Sequence, residues 1–169
     1  MITNSDYKEI LKIAYELAEK SPDPSTQNGA ILVREAGISG YEIMSRGYNH
    51  FPEGVKYLSE RWERPIKYSF IEHAERDSIF QAAKMGISTQ GLIMVCSWSA
   101  CDNCARAIIG SGIKRLVRHK QASDRSPENW KQNIVIADMM LREAGIEIID
   151  YDGIIGGLSI RHSGQTWNP

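Results

Sequence analysis

The sequence predicts an α/β fold of three layers, in which a mixed sheet of about five strands carries helices on both faces. Three observations support this class: an amphipathic helix near the N-terminus, two short strands joined by a glycine-containing turn, and an alternation of strands and helices from Gly91 onward. Alternating strands and helices are typical of crossover units with parallel strands. The antiparallel pair is therefore expected to come first along the chain, followed by strands that add to the same sheet in a largely parallel arrangement.

The elements are assigned from the spacing of apolar residues and from turn signals. Helical spacing predicts a helix over 4–20 with Asn4 or Ser5 as its N-cap, and a long, proline-broken loop is expected over 50–69. Further helices are predicted over 73–85, 101–111 and 128–144. Strands are predicted over 30–34, 41–49, 91–97, 113–119 and 146–150, and the tail over 151–169 has no assigned structure.

Size and charge narrow the class of protein. The 169 residues predict a single domain over 1–169, with a core over about 4–150 and a C-terminal tail over 151–169. The net charge of −1 argues against a general affinity for nucleic acid or for an anionic membrane. The absence of a long apolar run and of a signal-peptide pattern predicts a cytoplasmic protein, and the odd number of three cysteines favours free thiols over disulfides.

Two of the cysteines form a pair that can bind a metal. Cys101 and Cys104 stand three residues apart at the start of a helix that follows a buried strand, so both sulfurs face the same way. The positive end of the helix dipole favours the thiolate form, and Ser99 with Asp102 is predicted to cap the helix. The same pattern is found in thioredoxin-like redox sites, which is the alternative interpretation.

The stretch Phe70 to Arg76, "FIEHAER", supplies a third ligand and a carboxylate. A His/Cys/Cys set of His73, Cys101 and Cys104 with an open fourth position is typical of catalytic zinc. Glu75 can transfer protons beside such a metal. The pattern H-x-E followed by C-x-x-C is the mark of zinc-dependent nucleobase deaminases. The alternative is that His73 is an ordinary core histidine and Glu75 a solvated helix charge.

Four stretches extend the match beyond the metal ligands. They are "DPSTQNGAILV" over 23–33, "GYNHFPEGV" over 47–55, "KYSFIEHAERDSI" over 67–79 and "ACDNCARAIIGSGIKRLV" over 100–117. With them the chain resembles the deoxycytidylate (dCMP) deaminases of the cytidine deaminase-like superfamily. The resemblance implies the three-layer fold of that superfamily, one zinc ion per chain held by His73, Cys101 and Cys104, and Glu75 as general acid and base.

The resemblance also implies residues that bind the substrate. Asn49 would bind the sugar hydroxyl or the base, and the backbone amide of Ala74 would bind the ring carbonyl of cytosine. Thr26 and Ser99 are carried over as further substrate-binding residues. The family usually has proline before the first cysteine, where this chain has Ala100; alanine makes the helix entry less rigid but removes no ligand.

The phosphate group and the base have further candidate partners. Many dCMP deaminases carry a tyrosine at the end of the strand where this chain has Arg118, His119 and Lys120, which could bind a phosphate or simply be solvated. The same two interpretations apply to Arg61, Arg64 and Lys67. Trp98 or Trp62 could stack on a base, although burial is an equally good explanation, and Cys96, His50 and His162 are expected to have no special role.

The activity implied is the hydrolysis of a cytosine deoxynucleotide, dCMP, to dUMP and ammonia. Other substrates of the same fold stay open, namely dCTP, CMP, 5-substituted dCMP or guanine, and from a different class a thiol–disulfide protein using Cys101 and Cys104. The resemblance further implies a homo-oligomer, commonly a hexamer, with dCTP as activator and dTTP as inhibitor.

Overall fold

A computed structural model describes residues 2–37 and 40–169 of the chain. Its centre is a five-stranded sheet in the order β2-β1-β3-β4-β5. The strands are β1 (Gly29–Glu35), β2 (Tyr41–Tyr48), β3 (Ile93–Cys96), β4 (Arg115–His119) and β5 (Glu147–Tyr151). Strand β1 runs antiparallel to both β2 and β3, whereas β3, β4 and β5 are parallel. The predicted mixed sheet is confirmed; the turn predicted between β1 and β2 includes Ile38 and Ser39, which lie outside the described residues.

The helices are α1 (Asn4–Ala18), α2 (Lys67–Phe70), α3 (Ala74–Lys84), α4 (Asp102–Gly110), α5 (Lys120–Asp124) and α6 (Glu128–Glu143), with a short 3-10 helix at Ser59–Trp62. Helix α1 is capped by Thr3, so the prediction of Asn4 or Ser5 as N-cap is wrong. The Thr3 side chain accepts a hydrogen bond from the Asp6 amide, and the Asp6 carboxylate accepts one from the Thr3 amide. This reciprocal capping box needs an acid three residues after the cap, and Asp6 provides it for Thr3.

The sheet separates two apolar layers. Ala30 and Leu32 of β1 pack on the side of α3, α4 and α6, whereas Ile31 and Val33 pack on the side of α1. This alternation follows from the period of two along a strand. Helices therefore cover both faces, and the predicted three-layer architecture is confirmed.

Strand β2 lies directly against the backbone of α3 at Gly47. A Cβ atom at this position would stand 2.3 Å from the carbonyl oxygen of Ala74 and 2.3 Å from the amide nitrogen of Ser78. Both contacts are far below van der Waals distance, so only glycine fits. The close approach places the end of β2, with Asn49 just beyond it, beside the first turn of α3.

The C-terminal tail, which the sequence left unassigned, ends in a second, two-stranded sheet. Strands β6 (Ile160–His162) and β7 (Gln165–Trp167) are antiparallel and form a hairpin. Ile160 and Trp167 pack into the apolar layer on the side of α1. Among the described residues, no helix is long and apolar enough to cross a membrane.

Candidate active site and metal centre

Three side chains from two helix starts meet at one point. His73 is the N-cap residue of α3, Cys101 is the N-cap residue of α4, and Cys104 lies in the first turn of α4. The Nδ1 atom of His73 is 3.5 Å from each sulfur, and the three ligand atoms lie within 4.8 Å of one another. Tetrahedral zinc with ordinary Zn–N and Zn–S bond lengths needs ligand separations of about 3.5 Å. The three predicted ligands therefore fit zinc.

Cys101, and not Ser99, caps α4. The Cys101 sulfur accepts a hydrogen bond from the Cys104 amide at 3.5 Å. The Ser99 hydroxyl instead donates to the Ser123 hydroxyl at 2.7 Å. The predicted capping pair of Ser99 and Asp102 is therefore wrong, because the helix begins one residue later than expected and Ser99 lies too far before it. Hydrogen bonding to Cys104 and to His73 outweighs burial and lowers the pKa of Cys101, which favours the thiolate form that a metal binds.

Glu75 lies in the first turn of α3 and is only 1% exposed. Burial raises the pKa of this carboxyl to about 7, partly opposed by the nearby His73. The side-chain amide of Asn28 lies 3.4 Å from the Glu75 Oε2 atom, and the Ser97 hydroxyl in turn donates to Asn28 Oδ1 at 2.5 Å. Glu75 is not the solvated helix charge of the alternative interpretation. A carboxyl with a pKa near neutrality can both accept and donate a proton.

Three of the four residues expected to bind substrate line the same pocket, and the fourth, Ala74, is hydrogen-bonded to one of them. Thr26, Asn49 and Ser99 line it together with His73 and Glu75. The backbone amide of Ala74 donates a hydrogen bond to the side-chain oxygen Oδ1 of Asn49 at 2.9 Å. The side-chain nitrogen Nδ2 of Asn49 lies 3.3 Å from the carbonyl oxygen of Thr26. The structure therefore brings the four positions together and ties Ala74 directly to Asn49.

The pocket has further wall residues to which the sequence assigned no role. They are Asp23, Asn28, Tyr68, Ile71, Trp130 and Ile134. The first four belong to the stretches "DPSTQNGAILV" and "KYSFIEHAERDSI", so the motif itself was a signal for them. Trp130 and Ile134 come from α6, and only the tertiary fold brings them to the pocket.

Two basic residues of the long loop, Arg64 and Lys67, line the pocket, and only Lys67 is paired with a carboxylate. The ammonium group of Lys67 is buried and lies 2.7 Å from the Asp23 carboxylate. The Arg64 guanidinium donates to the Ser25 hydroxyl at 3.0 Å and lies 6.0 Å from the centre of the Tyr68 ring. Among the described residues, no carboxylate forms a salt bridge with Arg64. Arg64 is therefore the cation that the pocket can offer to an anionic ligand.

The cluster at the end of β4 has a structural role. Arg118 donates to both carboxylate oxygens of Asp138, at 2.7 and 2.9 Å, and to Asp150 at 2.6 Å. His119 is fully buried and bonded to the Tyr15 hydroxyl and to a backbone carbonyl. Lys120 pairs with Asp124, and neither Arg118, His119 nor Lys120 lines the pocket. Of the two interpretations offered for these residues, phosphate binding does not hold, because acidic residues from α5, α6 and β5 already neutralise the two fixed charges; Arg118 and His119 are not solvated either, since both are buried.

The two tryptophans that could stack on a base lie in different places, and only one of them lines the pocket. Trp98 lines the pocket, and its ring lies edge-on to Trp130 with centroids 5.9 Å apart. Trp62 does not line it and instead stacks on Phe51 at 4.1 Å. Cys96 is a fully buried core residue, as expected. Of the two tryptophans considered from the sequence, Trp98 is therefore the one that a planar ring in the pocket would contact.

The fold and the site together define a class of protein. A three-layer α/β fold that presents one histidine and two cysteines from two helix starts, with a buried carboxyl beside them, is a zinc hydrolase. When bound, zinc makes water a nucleophile near neutral pH. Because His73 contacts both sulfurs, the pair Cys101 and Cys104 belongs to this metal centre, and the thiol–disulfide interpretation does not hold.

Comparison with known proteins identifies the family within this class. The family model described as the cytidine and deoxycytidylate deaminase zinc-binding region matches residues 4–120, and the chain belongs to this family of zinc-dependent deaminases. The deoxycytidylate deaminase of Enterobacteria phage T2 is 40% identical over 83% of this chain and 89% of that protein. An uncharacterized deaminase of Aliivibrio fischeri is 31% identical over 83% of this chain and 90% of that protein. The crystal structure of dCMP deaminase from cyanophage S-TIM5 superposes with a TM-score of 0.61 at 19% identity, over 87% of this chain and 95% of that one, which confirms the fold.

Proposed function

We propose that this deaminase converts dCMP and water to dUMP and ammonia. The observation that carries the reaction type is the buried Glu75, with a pKa of about 7, beside the His73, Cys101 and Cys104 cluster. Support for the substrate comes from the phage T2 relative, a deoxycytidylate deaminase that is 40% identical over most of both chains.

Glu75 carries the proton transfers in this proposal. Water adds to the ring carbon that bears the amino group, and Glu75 accepts the proton that this water loses. Glu75 passes this proton to the neighbouring ring nitrogen and then carries the proton of the added hydroxyl to the amino group, so that the amino group leaves as ammonia and a ring carbonyl forms. The near-neutral pKa of Glu75 suits both directions of transfer. Exclusion of bulk water from this carboxyl, which is 1% exposed, keeps its pKa in that range.

The walls of the pocket orient the ring and the sugar. Trp98 and Trp130 provide flat apolar surfaces for a pyrimidine ring. The Ala74 amide would bind the ring carbonyl, sharing its hydrogen with Asn49 Oδ1, which lies 2.9 Å away. The Asn49 amide group would then face the sugar hydroxyl, with Thr26 and Ser99 completing the wall.

Arg64 would bind the phosphate group. Lys67 is neutralised by Asp23, so its charge is not available to a ligand. A guanidinium matches phosphate geometry with parallel N–H donors. A single unpaired cation suits a monophosphate better than a triphosphate, and this supports dCMP over dCTP.

The proposal includes a homo-oligomer in which a second copy covers α6. Val135, Ile136 and Met139 form an apolar surface on this helix and are 66%, 40% and 52% exposed. The surface adjoins Ile134, which lines the pocket, so a partner subunit there would lie close to the substrate. Sedimentation of the purified protein tests this assembly, and the family resemblance makes dCTP and dTTP the effectors to add to the assay.

The substrate is tested by ammonia release from zinc-loaded protein with dCMP, CMP, dCTP, deoxycytidine, 5-methyl-dCMP and guanine. We expect dCMP to give the highest kcat/KM, with deoxycytidine lower because it lacks the group that Arg64 binds. A higher kcat/KM for dCTP, for 5-methyl-dCMP or for guanine would replace the proposed substrate while leaving the zinc chemistry intact.

A further inference from the structure

The C-terminal hairpin is hydrogen-bonded to the loop over 21–28 through Arg161 in β6 and through Ser163 and Gly164 in its turn. The amide of Gln27 donates to the carbonyl oxygen of Arg161 at 2.9 Å, and the amide of Arg161 donates to the side-chain oxygen of Gln27 at 2.9 Å. At the hairpin turn, the amide of Gly164 donates to the carbonyl oxygen of Ser25 at 2.7 Å. Backbone hydrogen bonds thus hold the loop against the hairpin at two places, Gln27 and Ser25.

The Arg161 side chain adds two further bonds to the same loop. Its Nε atom donates to the carbonyl oxygen of Asp23 at 3.0 Å, and its Nη2 atom donates to the carbonyl oxygen of Ser21 at 3.3 Å. The Ser163 amide donates to the Thr26 hydroxyl at 3.2 Å. Arg161 therefore fixes the backbone at both sides of the first proline-containing turn of the loop, where glycine and proline signals predict no regular structure of its own.

The loop held in this way forms part of the pocket. Asp23 and Thr26 line it. The Thr26 carbonyl oxygen accepts a hydrogen bond from the Asn49 side chain at 3.3 Å, and the Ser21 hydroxyl donates to the Asn49 carbonyl at 2.6 Å. A shift of the loop would therefore move Thr26 and Asn49, both of which face the substrate.

The hairpin is itself anchored in the core. The Trp167 ring stacks on His119 with centroids 5.7 Å apart and meets Tyr15 edge-on at 6.1 Å. The His162 ring lies edge-on to Trp98 at 5.0 Å, and Trp98 lines the pocket. The hairpin thus connects the apolar layer of α1 to two separate walls of the pocket.

We propose that the C-terminal hairpin holds the loop over 21–28 in its substrate-binding shape, and that Arg161 is the positioning residue. The hairpin lies beyond residue 120, where the match to the family model ends. Arg161 does not line the pocket and makes no bond to His73, Glu75 or the cysteines. Its effect should therefore fall on substrate binding and leave proton transfer unchanged. The choice of dCMP as the assay substrate rests on the proposed function.

The first test is the kinetics of Arg161→Gln with dCMP. This variant keeps the backbone bonds of the hairpin and loses the two guanidinium bonds to Asp23 and Ser21. We expect KM to rise about tenfold, the effect of losing charged hydrogen bonds, while kcat stays within about twofold. Arg161→Lys, which keeps a charge but cannot reach both carbonyl oxygens in the same way, should give an intermediate KM. The matched control is Arg34→Gln, which removes an exposed arginine paired across the β1–β2 hairpin.

The second test needs no substrate. Amide hydrogen exchange is measured by mass spectrometry on zinc-loaded wild-type protein and Arg161→Gln. We expect peptides that cover 21–28 to exchange about tenfold faster in the variant, with α3 and α4 unchanged. The zinc content should be equal in both proteins.

The outcomes separate this proposal from the proposed function. If the wild-type protein does not turn over dCMP, the substrate proposal fails, and hydrogen exchange alone decides the role of Arg161. Unchanged exchange over 21–28, or kinetics equal to those of Arg34→Gln, would overturn the positioning role. Faster exchange throughout α3 and α4, with loss of zinc, would also overturn it, because Arg161 would then support the whole fold.

Discussion

The ammonium group of Lys67 lies 2.7 Å from the carboxylate of Asp23, and both side chains are buried in the pocket wall. Burial lowers the pKa of Lys67, and the nearby carboxylate opposes this change. Breaking a buried pair by removing one partner costs about 3–5 kcal/mol, because the other charge is left uncompensated. We expect Lys67→Met to lower the free energy of unfolding by that amount, measured by urea denaturation.

Two further variants test this interpretation of the pair. Asp23→Asn combined with Lys67→Met should recover most of the loss, because no buried charge stays unpaired. Lys131→Met removes an exposed lysine that pairs with Glu128, and we expect a change below about 0.5 kcal/mol. A Lys67→Met variant as stable as the Lys131→Met variant would show that the buried pair contributes nothing.

Arg64 should distinguish nucleotides from nucleosides. Because Lys67 is neutralised, Arg64→Gln removes the cation proposed to bind the phosphate. We expect KM for dCMP to rise about tenfold or more, the value of a charged hydrogen bond, with turnover of deoxycytidine unchanged. Arg61→Gln is the control in the same loop, since the Arg61 guanidinium lies over Phe70 and does not line the pocket. Equal losses for dCMP and deoxycytidine would place Arg64 outside phosphate binding.

Glu75→Gln should separate metal binding from catalysis. The amide has nearly the same shape and cannot accept the proton, so we expect kcat to fall by about 10³-fold. Zinc content, measured by atomic absorption, should stay equal to that of the wild-type protein, because Glu75 is not one of the three ligands. Glu128→Gln, at an exposed position of α6, serves as the control. Activity of Glu75→Gln within tenfold of the wild-type value would exclude Glu75 as the general acid and base.

Cys101 and Cys96 should differ sharply in their effect on zinc. Cys101→Ala removes one of three ligands, and we expect the zinc content to fall from about one ion per chain to nearly none. Cys96→Ala is the matched control: it removes a buried thiol that touches Asn28 and is not one of the clustered ligands. Full zinc in Cys101→Ala, or loss of zinc in Cys96→Ala, would contradict the assignment of the metal centre.

Because His162 is buried, we expect the free energy of unfolding to fall in mild acid. Burial lowers the pKa of this ring from 6.5 to about 4. Between these two values the unfolded chain binds more protons than the folded chain, so the contribution of the neutral ring is present above about pH 6.5 and is lost as the pH falls toward 4. The loss is on the order of 3 kcal/mol. We expect His162→Phe, which keeps an aromatic ring against Trp98, to reduce this dependence in denaturant titrations at several pH values.

His50 provides a control of opposite sign. Its pKa is raised by the hydrogen bond to Asp77, so its contribution is present at pH values below the unfolded pKa and is lost as the pH rises through the folded one. His50→Gln should therefore leave the acid-side loss in place. A His162→Phe variant with the same acid dependence as the wild-type protein would show that His162 does not titrate in the buried state described here.

The reactive groups were predictable from the sequence because their chemistry depends on local spacing. His73 and Glu75 stand two residues apart at one helix start, and Cys101 and Cys104 stand three apart at another. Strand–helix alternation then brings both helix starts to one edge of the sheet. The same local rules predicted the bounds of β1 to β5 and of α1, α3, α4 and α6 to within a few residues, but not the short helices α2 and α5.

Partners distant in sequence were not predictable. Arg118 looked available for a phosphate because Asp138 and Asp150, which neutralise it, lie 20 and 32 residues further along the chain. Trp130 reaches the pocket only through the packing of α6. The strands of the C-terminal hairpin have only three residues each, which is too short for a period of two to be recognised, although the Ser163-Gly164 pair was a turn signal.

The contact between Gly47 and the backbone of α3 has a consequence for directed evolution of this enzyme. A library aimed at new substrates would naturally randomise the stretch "GYNHFPEGV", because Asn49 lies in it. Every side chain placed at position 47 would push α3 away from the sheet and displace His73 at its start. Saturation mutagenesis should therefore find position 47 as intolerant as the metal ligands, and a library that leaves it fixed will contain a larger share of folded, zinc-loaded variants.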